Sequence, residues 1–212
     1  MVKVFDLDGT LLDSNGIWRW VDKEFLKQYG CELTDEYNNY VAHAIFPDAA
    51  HFTRIYYNLQ IAEDDIMNQW RLLAHNAYAN TLPLKPGAKE YLAQCFARGE
   101  QLVLYTSGEP SLCQAALKRH HLLSYFSQLF FAQELRLEKK FSASFLSLSE
   151  QLGRPPQECV LYDDSPLVCG AAKAAEWHVV GIKDPFFAEQ ATEMEQTCDR
   201  YIQNLADLVE IQ

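Results

Sequence analysis

The first nine residues constrain this chain most. Val2 to Phe5 is a short, mostly apolar run that ends on Asp6, with Asp8 two positions on and Gly9 behind it. Such a run reads as a buried strand whose C-terminal end carries a carboxylate. The same design recurs downstream. Leu102 to Tyr105 ends on Thr106-Ser107-Gly108, and Cys159 to Tyr162 ends on Asp163-Asp164. Leu129–Phe131 and Val179–Ile182 read as two further strands. Between them lie helical stretches: Gly87 to Arg98, Glu109 to His120 with Pro110 in its first turn, Ser142 to Leu152 closed by Gly153, and an alanine-rich stretch from Pro166 to Glu176. Strands alternating with helices predict an α/β fold: a Rossmann-like, mostly parallel sheet covered by helices on both faces.

One stretch breaks the alternation. From Asn15 to Leu84 strand-like runs are scarce, and Trp18, Val21 and Phe25 fall at i, i+3 and i+7. Ile55, Leu59, Ile66, Trp70 and Leu73 continue the helical character. The expected division is a core of residues 1–14 and 85–212 with an all-helical insert at 15–84. Asn15-Gly16 and Leu82-Pro83-Leu84-Lys85-Pro86-Gly87 have hinge composition at its two edges.

Composition narrows the partners. A net charge of −11 repels nucleic-acid backbones, so nucleic acid is not the expected partner. No run approaches the ~18 apolar residues of a membrane span. The N-terminus lacks the pattern of a signal peptide, and none of the six cysteines forms a C-x-x-C pair or a zinc-spaced cluster. Free thiols and a cytoplasmic location are expected, as is a monomer or weak dimer.

Three strand ends carrying acids and hydroxyls can converge, because open α/β sheets bind ligands beyond the carboxyl ends of their strands. Asp6 and Asp8 point the same way in an extended segment, and two such close carboxylates repel unless a metal or a shared proton relieves them. Asp6 and Asp164 could hold a hard cation such as magnesium, with Asp8 or its backbone completing the set. Asp6 could then attack phosphorus and form an acyl phosphate, with Asp8 as acid and later base. Thr106 can offer its hydroxyl to phosphoryl oxygens and the Ser107 turn its backbone N–H groups, with Lys139 or Lys140 as the cation.

Phe5-Asp6-Leu7-Asp8-Gly9-Thr10-Leu11-Leu12-Asp13-Ser14 resembles the first motif of the haloacid dehalogenase superfamily. Thr106 resembles the second motif and Lys139 the third. Tyr162-Asp163-Asp164-Ser165-Pro166 with Gly170-Ala171-Ala172-Lys173-Ala174-Ala175 resembles the fourth. The resemblance implies a Rossmann-like core with a helical cap, closest to the branch that includes β-phosphoglucomutase and small sugar-phosphate phosphatases. It implies Asp6 as nucleophile and Asp8 as acid/base. It also implies magnesium on the Asp6 carboxylate, the Asp8 backbone carbonyl and Asp164, phosphate on Thr106, Ser107 and Lys139, and a small phosphorylated metabolite as substrate.

Three positions depart from that branch. The third motif reads Lys139-Lys140-Phe141-Ser142 without its usual prolines, and counting back from Phe145 and Gly153 favours Lys139 over Lys140. The fourth-motif helix ends in Ala174-Ala175-Glu176 where Ala-Ala-Gly is usual, so an altered C-cap is expected. Asp163, where relatives often have Glu or Gly, is expected outside the metal's direct ligands, bound through water. Asp8 argues against dehalogenation, and Lys23 and Lys27 read as solvated, not as a Schiff-base lysine. Within the insert, His43, His51 and His75 read as packing or surface residues. Arg54 reads as a surface arginine beside tyrosines, and Trp18, Trp20, Trp70 and Tyr78 read as core. His120-His121 are expected to cap a helix end by charge.

Overall fold

The computed structural model describes residues 1–41, 46–135 and 138–210. His43 lies outside the described residues. The elements run β1 (Val2–Phe5), α1 (Ile17–Gln28), α2 (Asp35–Val41), α3 (Phe46–Tyr56), α4 (Glu63–Asn80), α5 (Ala88–Ala97), β2 (Gln101–Thr106), α6 (Pro110–Arg119), β3 (Gln128–Phe131), α7 (Ala132–Leu135), α8 (Ser142–Leu152), β4 (Cys159–Asp163), α9 (Pro166–Ala174), β5 (His178–Ile182), α10 (Ala191–Thr197) and β6 (Arg200–Ile202). They divide into two units, one of Met1–Asn15 with Leu82–Gln212, the other of Gly16–Thr81.

The first unit is a parallel sheet in the order β3-β2-β1-β4-β5-β6. The chain winds outward from β1 through β2 to β3, then crosses to β4 and winds the other way. The reversal falls between β1 and β4, and such a switch point opens a crevice at the strands' carboxyl ends. Both faces of the sheet are covered, which explains near-continuous apolar strands. Val2 and Val4 join Phe145, Leu148 and Trp177 in one core layer. Phe5, pointing to the other face, stacks on its register partner Tyr162 at a centroid distance of 4.4 Å. Tyr162 in turn shares a hydrogen bond of 2.7 Å with Tyr91 of α5.

Punctuation residues end the elements where expected. Gly153 adopts φ 62° behind α8. Behind α9 the left-handed position falls on Glu176, at φ 65°, so the altered cap keeps its backbone shape with a side chain that disfavours it. β6 has no counterpart in the sequence reading. Arg-Tyr-Ile is three residues long and lacks an apolar run; pairing with β5 makes it a strand. α10 is a polar seven-residue helix without an apolar stripe, and it buries only Met194.

The second unit contains α1 to α4, with no strand among its described residues. Val21, Phe25, Ile66, Trp70 and Tyr78 are buried, and Phe25 packs edge-on against Trp70 at 5.8 Å. Trp18 and Trp20 are not core: they are 44% and 39% exposed, and Ile55 is exposed too. Trp18 shares the helical face of Val21, but it is Ile17, one residue nearer the helix start, that is buried with Val21 and Phe25. Lys23, Lys27 and His75 are exposed. No helix among the described residues is long and apolar enough to cross a membrane, and all six cysteines are free.

Candidate active site

The crevice at the switch point is a cavity of about 230 Å³. Asp6, Asp8, Asn15, Thr106, Ser107, Gly108, Lys139, Asp163, Asp164, Ser165, Val168 and Phe187 line it, all in the first unit. Every residue singled out at the three strand ends therefore reaches one place.

Asp6 follows β1 directly, and its N–H still bonds to the Tyr162 carbonyl of β4 at 3.0 Å. The chain then turns on Gly9, which has φ 79°. A Cβ there would lie 2.2 Å from Asp164 Oδ2, so glycine is required twice over. Leu11 and Leu12 bond back to the Leu7 carbonyl, and Lys85 N bonds to the Leu11 carbonyl at 2.9 Å. These bonds hold the loop that presents Asp8. Ser14 Oγ donates to Asp8 Oδ1 at 2.6 Å.

Thr106 closes β2. Its Oγ1 accepts from Gly108 N at 3.0 Å. Gly108 can carry no side chain: a Cβ would stand 2.5 Å from Cys113 Sγ and 3.0 Å from Asp8 Oδ2. Burial, with Asp8 and Asp6 nearby, pushes the Cys113 thiol up, so this neighbouring sulfur stays protonated and is a poor nucleophile.

Lys139 is 3% exposed and donates to Asp6 Oδ1 at 2.5 Å and to Asp163 Oδ2 at 2.8 Å. Lys140 is on the surface, half exposed, beside Glu138. Burial alone would discharge Lys139, but Asp163 and Asp6 outweigh it and raise the pKa above the ordinary lysine value. Asp163 is occupied on both oxygens: Oδ1 accepts from Ser165 N at 3.0 Å at the start of α9. Its visible task is to hold a lysine.

Asp164 accepts from Thr10 Oγ1 at 3.1 Å and from Asn15 Nδ2 at 2.7 Å. Burial, then the charge of Asp163, pushes its carboxyl up to about 7. Burial also pushes Asp6 up, with Asp163, Asp164 and Asp8 adding to it against the pull of Lys139. Four carboxyl groups and one ammonium in a buried crevice leave an excess of negative charge that a cation would relieve. The donors fit a hard ion, since they are oxygens with no sulfur or imidazole among them. No group of three or more His, Cys, Asp or Glu side chains among the described residues has a metal-binding arrangement. A set of two carboxylates and one backbone carbonyl would leave the remaining positions to water, as magnesium prefers.

A haloacid dehalogenase-like hydrolase family model matches residues 2–176. The chain belongs to the haloacid dehalogenase-like hydrolase family. It is 27% identical over 199 residues to the Probable pseudouridine-5'-phosphatase of Drosophila melanogaster, covering 89% of this chain and 84% of that one. It is 23% identical over 189 residues to Hexitol phosphatase B of Escherichia coli K12, covering 87% and 84%. Among solved structures, a Thermotoga maritima protein provisionally described as a β-phosphoglucomutase superposes with a TM-score of 0.85 at 20% identity over 100% of both chains. At that identity the likeness speaks for the fold. Membership makes the chain an enzyme, a hydrolase of this family.

The residues weighed outside the crevice have other partners. Arg54 and His51 both contact Glu63 Oε1, at 3.0 and 2.7 Å. His120 stands at the C-cap of α6. Burial pushes its imidazole down, and the ring meets the Leu82 carbonyl through Nε2 at 2.9 Å. Asn15, Val168 and Phe187 are cavity residues that sequence reasoning missed as site members. Asn15 carried a signal, an amide next to the first motif, but its hinge composition explained it equally well.

Proposed function

We propose that the chain is a magnesium-dependent phosphatase that hydrolyses a small phosphomonoester through an aspartyl-phosphate on Asp6. The observation that carries this reading is the gathering of Asp6, Asp8, Thr106, Lys139 and Asp164 in one cavity the size of a phosphoryl group and part of its leaving group. The phosphatase names of the two relatives support the substrate class.

In this reading an oxygen of Asp6 attacks phosphorus in line, and the leaving oxygen departs with the proton of Asp8. A positioned acid of this kind contributes about 10²–10⁴-fold. Asp8, now a base, takes a proton from the water that attacks the acyl phosphate, and inorganic phosphate leaves. Ser14 fixes the orientation of Asp8 for both transfers. Lys139, the Thr106 hydroxyl and the Ser107 turn hold the equatorial phosphoryl oxygens. A magnesium ion held by Asp6, the Asp8 carbonyl and Asp164 would supply positive charge against the developing negative charge. The insert, 15–84, acts as a cap whose hinges lie at Asn15-Gly16 and at 82–87.

A phosphomutase would use the same intermediate but return the phosphoryl group to a sugar. It must hold a second phosphate, and residues 15–84 carry five Lys/Arg against nine Asp/Glu, which disfavours that. A panel of phosphorylated sugars, nucleotides and small acids tests the proposal. Magnesium-dependent phosphate release without isomer formation is expected. Isomer formation would favour the mutase, and no turnover on any member by the folded protein would favour a binding protein on this fold.

A further inference from the structure

Asp164 is gripped on both oxygens by neutral donors from the loop behind β1. Thr10 holds Oδ1 from one side at 3.1 Å, and Asn15 holds Oδ2 from the other at 2.7 Å. The atom of Asn15 that faces a carboxylate must be its amide nitrogen, because its oxygen would repel. Packing leaves Asn15 little choice: a Cβ on Gly9 would stand 2.3 Å from its Nδ2 and 2.2 Å from Asp164 Oδ2, so the three residues fill one another's space. Asn15 also lines the cavity itself.

We propose that Asn15 is a positioning residue for divalent-cation binding: its amide fixes the Asp164 carboxylate in the orientation that accepts the ion. This rests on the metal reading given under Proposed function. A carboxylate with a free rotor must be ordered when the ion arrives. One already held by two donors is not, and supporting hydrogen bonds of this kind are worth about 10–100-fold in metal affinity. Asn15 belongs to the same compact unit as the rest of the crevice.

The test measures Mn²⁺ binding directly, by calorimetry and by the electron paramagnetic resonance of free Mn²⁺, on the full chain. Asn15→Ala removes the donor, and Asn15→Leu removes it while keeping most of the volume. Both are expected to raise the Mn²⁺ dissociation constant about 10-fold or more, while the unfolding temperature of the metal-free protein stays close to wild type. Turnover of a generic phosphate ester should recover as Mg²⁺ is raised, a rescue that a purely structural defect would not show. Wild-type affinity in both variants, with the wild type binding Mn²⁺, overturns the role of Asn15 alone. A wild type that binds no Mn²⁺ overturns the metal reading and this inference with it. A defect in Asn15→Ala that Asn15→Leu restores assigns Asn15 to packing and also overturns the inference.

Discussion

The ammonium of Lys139 lies 2.8 Å from the carboxylate of Asp163, across a sequence separation of 24, and the same ammonium touches Asp6. The pair is almost fully buried, with side chains 3% and 2% exposed. Asp163 is thus tied to the lysine first, and its place beside Asp164 follows from the end of β4. The arrangement aims a fixed cation at the carboxylate we assign as nucleophile.

Removing that cation should be felt strongly. Lys139→Ala is expected to lower kcat/KM by about 10²–10³, the range found when one preorganised stabilising group is lost. It also leaves Asp6 and Asp163 buried without their partner, so the unfolding midpoint should fall. Lys140→Ala, at an exposed position, should stay within about twofold. Steady-state kinetics on both variants checks this. Equal effects would reassign the phosphate-binding lysine.

Asp6→Asn should bind phosphate ester and metal more weakly and abolish turnover. Activity above about one per cent of wild type would contradict the nucleophile assignment, because loss of a covalent-intermediate residue usually removes several orders of magnitude. Rapid quenching with a radiolabelled ester should trap label on the wild type and none on Asp6→Asn.

A pH effect on stability should come from the second unit. Tyr37 Oη donates to Asp22 Oδ1 at 3.2 Å and lies 2.8 Å from Thr53 Oγ1, whose proton goes to the Ala49 carbonyl at 2.7 Å. One phenolic proton faces two acceptors, which a proton on Asp22 would relieve. Burial pushes the Asp22 carboxyl up to about 7, against the hydrogen bond from Tyr37. The unfolded value is near 3.9, so between about pH 4 and pH 7 the folded state holds the extra proton. Asp22 therefore makes stability fall as pH rises through that window. Asn in its place mimics the protonated acid. Asp22→Asn should flatten the dependence and raise stability at pH 8 by about 1–3 kcal/mol. Urea midpoints at pH 5 and pH 8 decide; an equal shift at both would contradict the assignment.

Glu176 holds a left-handed conformation at φ 65° and is exposed, its side chain accepting from Gln157 Nε2 at 2.5 Å and its N–H donating to the Lys173 carbonyl at 2.9 Å. Left-handed backbone costs a non-glycine residue about 1–2 kcal/mol, while a surface hydrogen bond is worth less. Glu176→Gly is expected to stabilise the protein by about 0.5–1 kcal/mol without altering kcat. Calorimetry showing a lower melting temperature would mean that Glu176 contributes more through its side chain than its backbone loses.

The chain's own order of residues determined the alternation of strands and helices, a helical stretch from Asn15 to Leu84, and the acids and hydroxyls at the ends of β1, β2 and β4. These follow from local rules: apolar runs, helical spacing, and glycine or proline at the ends. Such rules act over a few residues and need no knowledge of the rest. Tertiary structure alone decided what those residues do to one another. It pairs Lys139 with Asp163, aims Asn15 at Asp164 across 149 residues, makes a strand of Arg200–Ile202 and leaves Trp18 and Trp20 exposed. Parallel register sets which strand ends meet, and burial sets which charges must find partners. Both are properties of the closed sheet, and no segment carries them by itself.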